Sequence, residues 1–179
     1  MTSQTIANPS RAAGDGNPAL TAALAITAIA AVTLAGAWFL QLVQDIRPCP
    51  LCLEQRYTYY AVIPLAVLLA IAAARGAPRA VLIAGLVIIA LATLGNSGLA
   101  TYHAGVEWGF WKGPTDCTGP ILDLGSASTL LQRLDSVKVV RCDEVQWKFL
   151  GLSLAGYDVL ISLLMSAIAA WGVVRLQRR

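Results

Sequence analysis

Four long apolar runs decide what this chain can fold into. Residues 19–43, 57–74, 80–100 and 152–174 carry one charged side chain among them, Asp158. Each is close to the roughly 20 residues an α-helix needs to cross the hydrocarbon core of a bilayer. In lipid every backbone polar group must find its partner within the spanning element, so such runs read as helices. Charged residues make up 13% of the chain, about half the share in a soluble domain. The expected fold class is therefore all-α and integral to the membrane. It is a single four-helix bundle over 19–179, preceded by a polar tail at 1–18, with outer loops at about 44–56 and 101–151.

The first run is longer than the 7–15-residue core of a signal peptide and is read as an uncleaved span. Pro64 lies inside the second run and is expected to kink it. Four spans put both termini on one side. Arg11, Arg75, Arg79, Arg175, Arg178 and Arg179 gather there against Asp15 alone, whereas Asp45, Arg47, Glu54 and Arg56 mix signs on the other side. The positive-inside rule makes the first side cytoplasmic. Cys49, Cys52, Cys117 and Cys142 then face the periplasm or an equivalent space, where disulfides persist. No basic patch is interleaved with aromatics, so the partners are expected to include a lipid bilayer and no nucleic acid.

The short outer gap holds Pro48-Cys49-Pro50-Leu51-Cys52-Leu53-Glu54-Gln55-Arg56. A disulfide closing so small a ring constrains the unfolded chain little, which disfavours a purely structural clip. Strained, exposed disulfides are the oxidising, labile ones. If the second run begins as a helix near Cys52, that sulfur lies in the first turn, where unpaired N–H groups favour a thiolate. Arg56, four residues on, would share its face. Pro48 and Pro50 keep Cys49 outside the helix. The expectation is one exposed sulfur, Cys49, and one stabilised as an anion, Cys52. Arg56 read alone fits an interfacial anchor as well as a site residue. No metal centre is expected, because a zinc knuckle would need a second close cysteine pair.

The long outer loop opens with aromatics from Tyr102 to Trp111 and carries Cys117 among turn residues, Gly113-Pro114 and Gly119-Pro120. Leu130, Leu131, Leu134 and Val137 recur at helical spacing with Ser128 as an N-cap, so a short amphipathic helix is expected there. It fits equally the bilayer surface and a core within the loop. Cys117 and Cys142 fit equally a structural staple and a reactive disulfide. His103 fits equally an interfacial hydrogen bonder and a ligand contact. Asn96 and Asp158, near span ends, and Glu54 and Glu107 are expected to be hydrated.

Taken together, Cys49-x-x-Cys52 with Arg56, Tyr102-His103 closing the third run, Cys117 and Cys142 in the long loop, and Trp147-x-Phe149-Leu150-Gly151-Leu152 resemble the disulfide bond formation protein B (DsbB) family. The resemblance covers about Gln41 to Tyr157 and the four-span layout. The inner dipeptide Pro50-Leu51 bears on redox poise, not on reaction type. The resemblance implies a quinone-dependent protein thiol–disulfide oxidoreductase of the bacterial inner membrane. Its cofactor would be ubiquinone or menaquinone. Its protein partner would be a DsbA-like periplasmic dithiol oxidase of the thioredoxin fold. It also implies that the partner attacks a Cys117–Cys142 disulfide at Cys117, and that Cys142 passes electrons to the Cys49–Cys52 pair through Cys49. Cys52 would face the quinone, and Arg56 would hold its head group with His103 nearby. A rival of another class is a non-enzymatic four-span scaffold with disulfide-pinned outer loops.

Overall fold

The computed structural model describes residues 17–114 and 141–178. The amphipathic helix expected around Ser128–Val137, Cys117 and nearly all of the polar tail lie outside these residues. Among the described residues four helices carry the fold: α1 (Pro18–Leu42), α2 (Pro50–Ala74), α3 (Arg79–Glu107) and α4 (Leu154–Gln177). All four are long and apolar enough to cross a bilayer, which makes this a multi-pass membrane protein. At 1.5 Å per residue the shortest spans about 36 Å, more than the ~30 Å hydrocarbon core.

The helix starts are written in the sequence. Asn17 caps α1 by accepting from Ala19 N at 3.1 Å and reaches across to Ala73 O at 3.0 Å, tying α1 to the end of α2. Proline follows the cap in both α1 and α2, where its missing N–H has no partner to lose. Ser153 caps α4 by accepting from Gly156 N at 3.2 Å. Pro64 lies inside α2, which runs through it to Ala74.

α1 packs along α2, and α3 along α4; α2–α3 and α1–α4 contacts close the bundle. Its core is alanine-rich: Ala19, Ala22, Ala23, Ala30, Ala66 and Ala169 are all buried. Small side chains let helix axes approach closely where lipid gives no hydrophobic drive between helices. Gly172 shows how closely: a Cβ there would lie 2.9 Å from Leu86 Cδ1 and 3.0 Å from Ala22 Cβ. Leu68, Leu91, Val32 and Leu164 face outward, as expected of surfaces bathed in acyl chains.

One element was not anticipated. Lys148–Phe149 (β1) and Leu152–Ser153 (β2) pair antiparallel, with Lys148 opposite Ser153 and Phe149 opposite Leu152. Leu150 (φ 49°) and Gly151 (φ 84°) make the turn. Positive φ at both central residues suits a two-residue hairpin. This hairpin delivers the chain into α4.

Candidate active site

α2 begins at Pro50, well before the apolar run at Tyr57, so Cys52, Gln55, Arg56 and Tyr59 all lie on one helix. Their spacing of three, four and seven residues puts them on one face. Cys49 is the N-cap, with extended backbone (φ −75°, ψ 166°). Its Sγ turns back to accept the Cys52 N–H at 3.3 Å and lies 2.8 Å from Cys52 Sγ. Both thiols are free.

The two sulfurs do differ, but not in the expected sense. Cys49 is only 1% exposed, whereas Cys52 is half-buried. An N-cap side chain points at the amides of the first turn, so the helix N-terminus serves Cys49. The hydrogen bond with Cys52 is the main cause that lowers the Cys49 thiol from 9.0 to about 5, against burial, with His103 helping.

His103, on α3, sits behind this pair. Its Nε2 is 3.5 Å from Cys49 Sγ and its Nδ1 is 3.1 Å from Gln55 Nε2. Glu107, one turn further, approaches the ring at 4.0 Å with its side chain 6% exposed. The hydration expected of Glu107 is therefore absent: α3 continues to Glu107 and carries that carboxylate into the bundle. The same correction applies to Asn96 and Asp158, both buried between α3 and α4. Sequence position alone underestimated how far the helices enclose these groups.

In front of Cys52 lies a cavity of about 480 Å³, lined by Cys52, Gln55, Arg56, Tyr59 and Asp158 on its polar side. Leu34, Phe39, Leu40 and Ile161 form apolar wall. That size and mixture are typical of a small-molecule site. Arg56 is held toward α1: its guanidinium donates to Gln41 Oε1 at 2.6 Å and Ala37 O at 3.2 Å, over the Trp38 ring. The hairpin covers one side with Trp147 and Phe149, whose rings stack, and Tyr157 anchors it by donating to Phe149 O at 2.9 Å. His103 is not among the lining residues; it contacts Cys49 instead.

Cys142 is disulfide-bonded and 1% exposed. It shares one buried cluster with Cys49, Leu51 and Val106. Cys117 lies outside the described residues. The ligand atoms of Cys49, Cys52 and His103 fall within 4.8 Å of one another, a third donor that cysteine spacing alone did not reveal. The sulfurs, 2.8 Å apart, are closer than the about 3.7 Å set by two Zn–S bonds in a tetrahedron. The pair is arranged for sulfur–sulfur chemistry.

The family model described as disulfide bond formation protein DsbB matches residues 19–172. A disulfide bond formation protein B from Hahella chejuensis is 32% identical over 79% of this chain and 86% of its own. Proteins of the same name from Azoarcus sp. and Burkholderia pseudomallei are 28% and 30% identical, over 83% and 79% of this chain and 88% and 82% of theirs. No solved structure matches.

Proposed function

Because the chain belongs to the DsbB family of disulfide bond formation proteins, and so has a disulfide oxidoreductase role, we propose that it oxidises a periplasmic dithiol partner and passes the electrons to membrane quinone. The carrying observation is the division between the two sulfurs. Cys52 opens on the cavity and packs at the edge of a buried cluster, while Cys49 lies within that cluster, which also contains Cys142. One sulfur can thus serve the acceptor and the other the second outer loop.

The partner is a DsbA-like protein of the thioredoxin fold. Its thiolate attacks a Cys117–Cys142 disulfide at Cys117, forming a mixed disulfide and freeing Cys142 as a thiolate. A second partner thiol resolves that bond and leaves the partner oxidised. Cys142 then attacks the oxidised Cys49–Cys52 pair at Cys49, and Cys52 leaves as a thiolate. Cys117 completes the exchange by displacing Cys49, whose departure as a thiolate is favoured by its low pKa. Two electrons have then moved from partner to the Cys49–Cys52 pair.

The cavity fits a quinone. Its polar side offers Cys52, Gln55 and Arg56 to a head group, and its apolar wall suits an isoprenoid tail. Bound there, a quinone supplies two-electron acceptor chemistry. Arg56 contributes a fixed positive charge near the oxygens that gain electron density. Gln55 orients the ring of His103, which steadies the Cys49 thiolate. The arginines at both termini and in the turn after α2 support cytoplasmic termini and a periplasmic site in a bacterial inner membrane.

Purified protein, a reduced thioredoxin-fold partner and a short-chain quinone test the reading. Partner oxidation should require quinone, and a partner lacking its resolving thiol should be trapped on Cys117. A scaffold with structural disulfides would form no adduct and consume no quinone.

A further inference from the structure

The cavity wall holds a group that the exchange chemistry leaves unused. Asp158, on α4, is the one carboxyl among the described lining residues. It accepts a hydrogen bond from Tyr59 and, at 3.1 Å, from Asn96 Nδ2. Asn96 Nδ2 also reaches Ser162 Oγ at 3.0 Å. The other atom of that amide, Asn96 Oδ1, is buried without a donor. An amide can turn over, and oxygen and nitrogen then exchange places. Turned over, Asn96 Oδ1 accepts from Asp158 if the acid carries its proton and Nδ2 takes the unpaired place, so the same amide can serve either the carboxylate or the acid. Ionisable residues within membrane spans commonly belong to proton relays.

Counting protons gives this acid a task. With Cys49 already a thiolate at neutral pH, closing the Cys49–Cys52 bond releases two electrons but one proton, that of Cys52. A quinone that leaves as neutral quinol has received two electrons and two protons. We propose that Asp158 supplies the second proton. Thiolate, thiol, quinone and carboxylic acid become disulfide, quinol and carboxylate, and charge is conserved. The carboxylate is held by Tyr59 and Asn96 until it recovers a proton from water. This inference rests on the quinone reading above.

The titratable and charged groups facing Asp158 are Tyr59 on α2 and His103 on α3, which senses its charge. Cys52, Arg56, Arg47 and Tyr157 complete the cavity wall, and α1 contributes none among the described lining residues. The test compares wild type, Asp158→Asn and Asp158→Glu. Infrared spectra of reduced, quinone-free wild type should contain the carbonyl stretch of a protonated carboxyl that Asp158→Asn lacks. With a short-chain quinone, Asp158→Asn should lower kcat about 100-fold, the scale of general-acid catalysis. Its KM for quinone should stay within twofold. Its rate should fall with rising pH, as solvent becomes the proton source, and Asp158→Glu should recover most activity. Identical infrared bands, or wild-type kcat in Asp158→Asn at every pH, would overturn the proposal. So would parallel loss of kcat, KM and thermal stability with an unchanged pH profile, the mark of a packing role. A wild type that reduces no quinone would instead bring down the quinone reading, and with it this role.

Discussion

Cys49 is the residue on which the local chemistry turns. Its sulfur receives the Cys52 N–H, faces His103 and touches no solvent to speak of. Reduced protein should show a thiolate absorbance that titrates near pH 5 and vanishes in Cys49→Ser. His103→Ala should move that midpoint upward, because the ring is one of the groups holding it down; an unmoved midpoint would remove His103 from the centre. The linkage has a definite sign. Between about pH 5 and 9 the unfolded thiol binds a proton that the folded one has lost. Stability of the reduced protein therefore rises with pH across that window, and the contribution is gone below pH 5. Gln55→Leu should leave a ring nitrogen of His103 buried and unpaired, at a cost of about 1–3 kcal/mol in thermal unfolding. The cysteine pair and Arg56 could be named from residue types and spacing, and His103 through the family resemblance. Which sulfur the helix start serves could not, because that depends on an N-cap rotamer rather than on sequence distance. Gln55 and Tyr59 were missed although their register with Cys52 was visible. Asp158 reads in the sequence as a hydrated group near a span end, because the side chains that enclose it come from α2 and α3.

At the scale of elements, hydropathy located the lipid-facing stretches but not the helix ends. α2 starts seven residues before the second apolar run, and α3 ends seven residues after the third. Glu54, Arg56, His103 and Glu107 interrupt an apolar pattern without interrupting a helix, because nothing in them breaks backbone hydrogen bonding. The hairpin before α4 was hidden for another reason: two paired residues per strand give no periodicity to read. Its turn invites a measurement. Leu150 has a branched side chain at φ 49°, a conformation that costs an L-residue about 1–2 kcal/mol. Leu150→Asn should stabilise the protein by up to about 1 kcal/mol. Gly151→Val should strain the turn and displace Trp147 and Phe149 from the cavity mouth. Quinone KM should then rise several-fold while partner KM holds; equal changes in both would mean the hairpin does not cover a quinone site.

For the whole molecule, the distribution of charge and the positions of the cysteines both support the proposed orientation. A reporter active only in the periplasm should be silent when fused after Arg179 and active when inserted after Lys112. The reverse pattern would put the cysteines in a reducing compartment and end the proposed role. Four-helix architecture was legible because lipid permits so few alternatives. The cavity was not legible, because it is the space left among α1, α2, α4 and the hairpin, and no single stretch encodes a space.

The closed surroundings of Cys49 have a further consequence. A small dissolved thiol that reached this sulfur would short-circuit the proposed relay by reducing it directly. A sulfur with 1% of its residue's surface exposed offers such molecules no landing place. In the proposed relay the bundle therefore insulates Cys49: electrons reach it through a neighbouring protein sulfur, and packing keeps it from the surrounding solution.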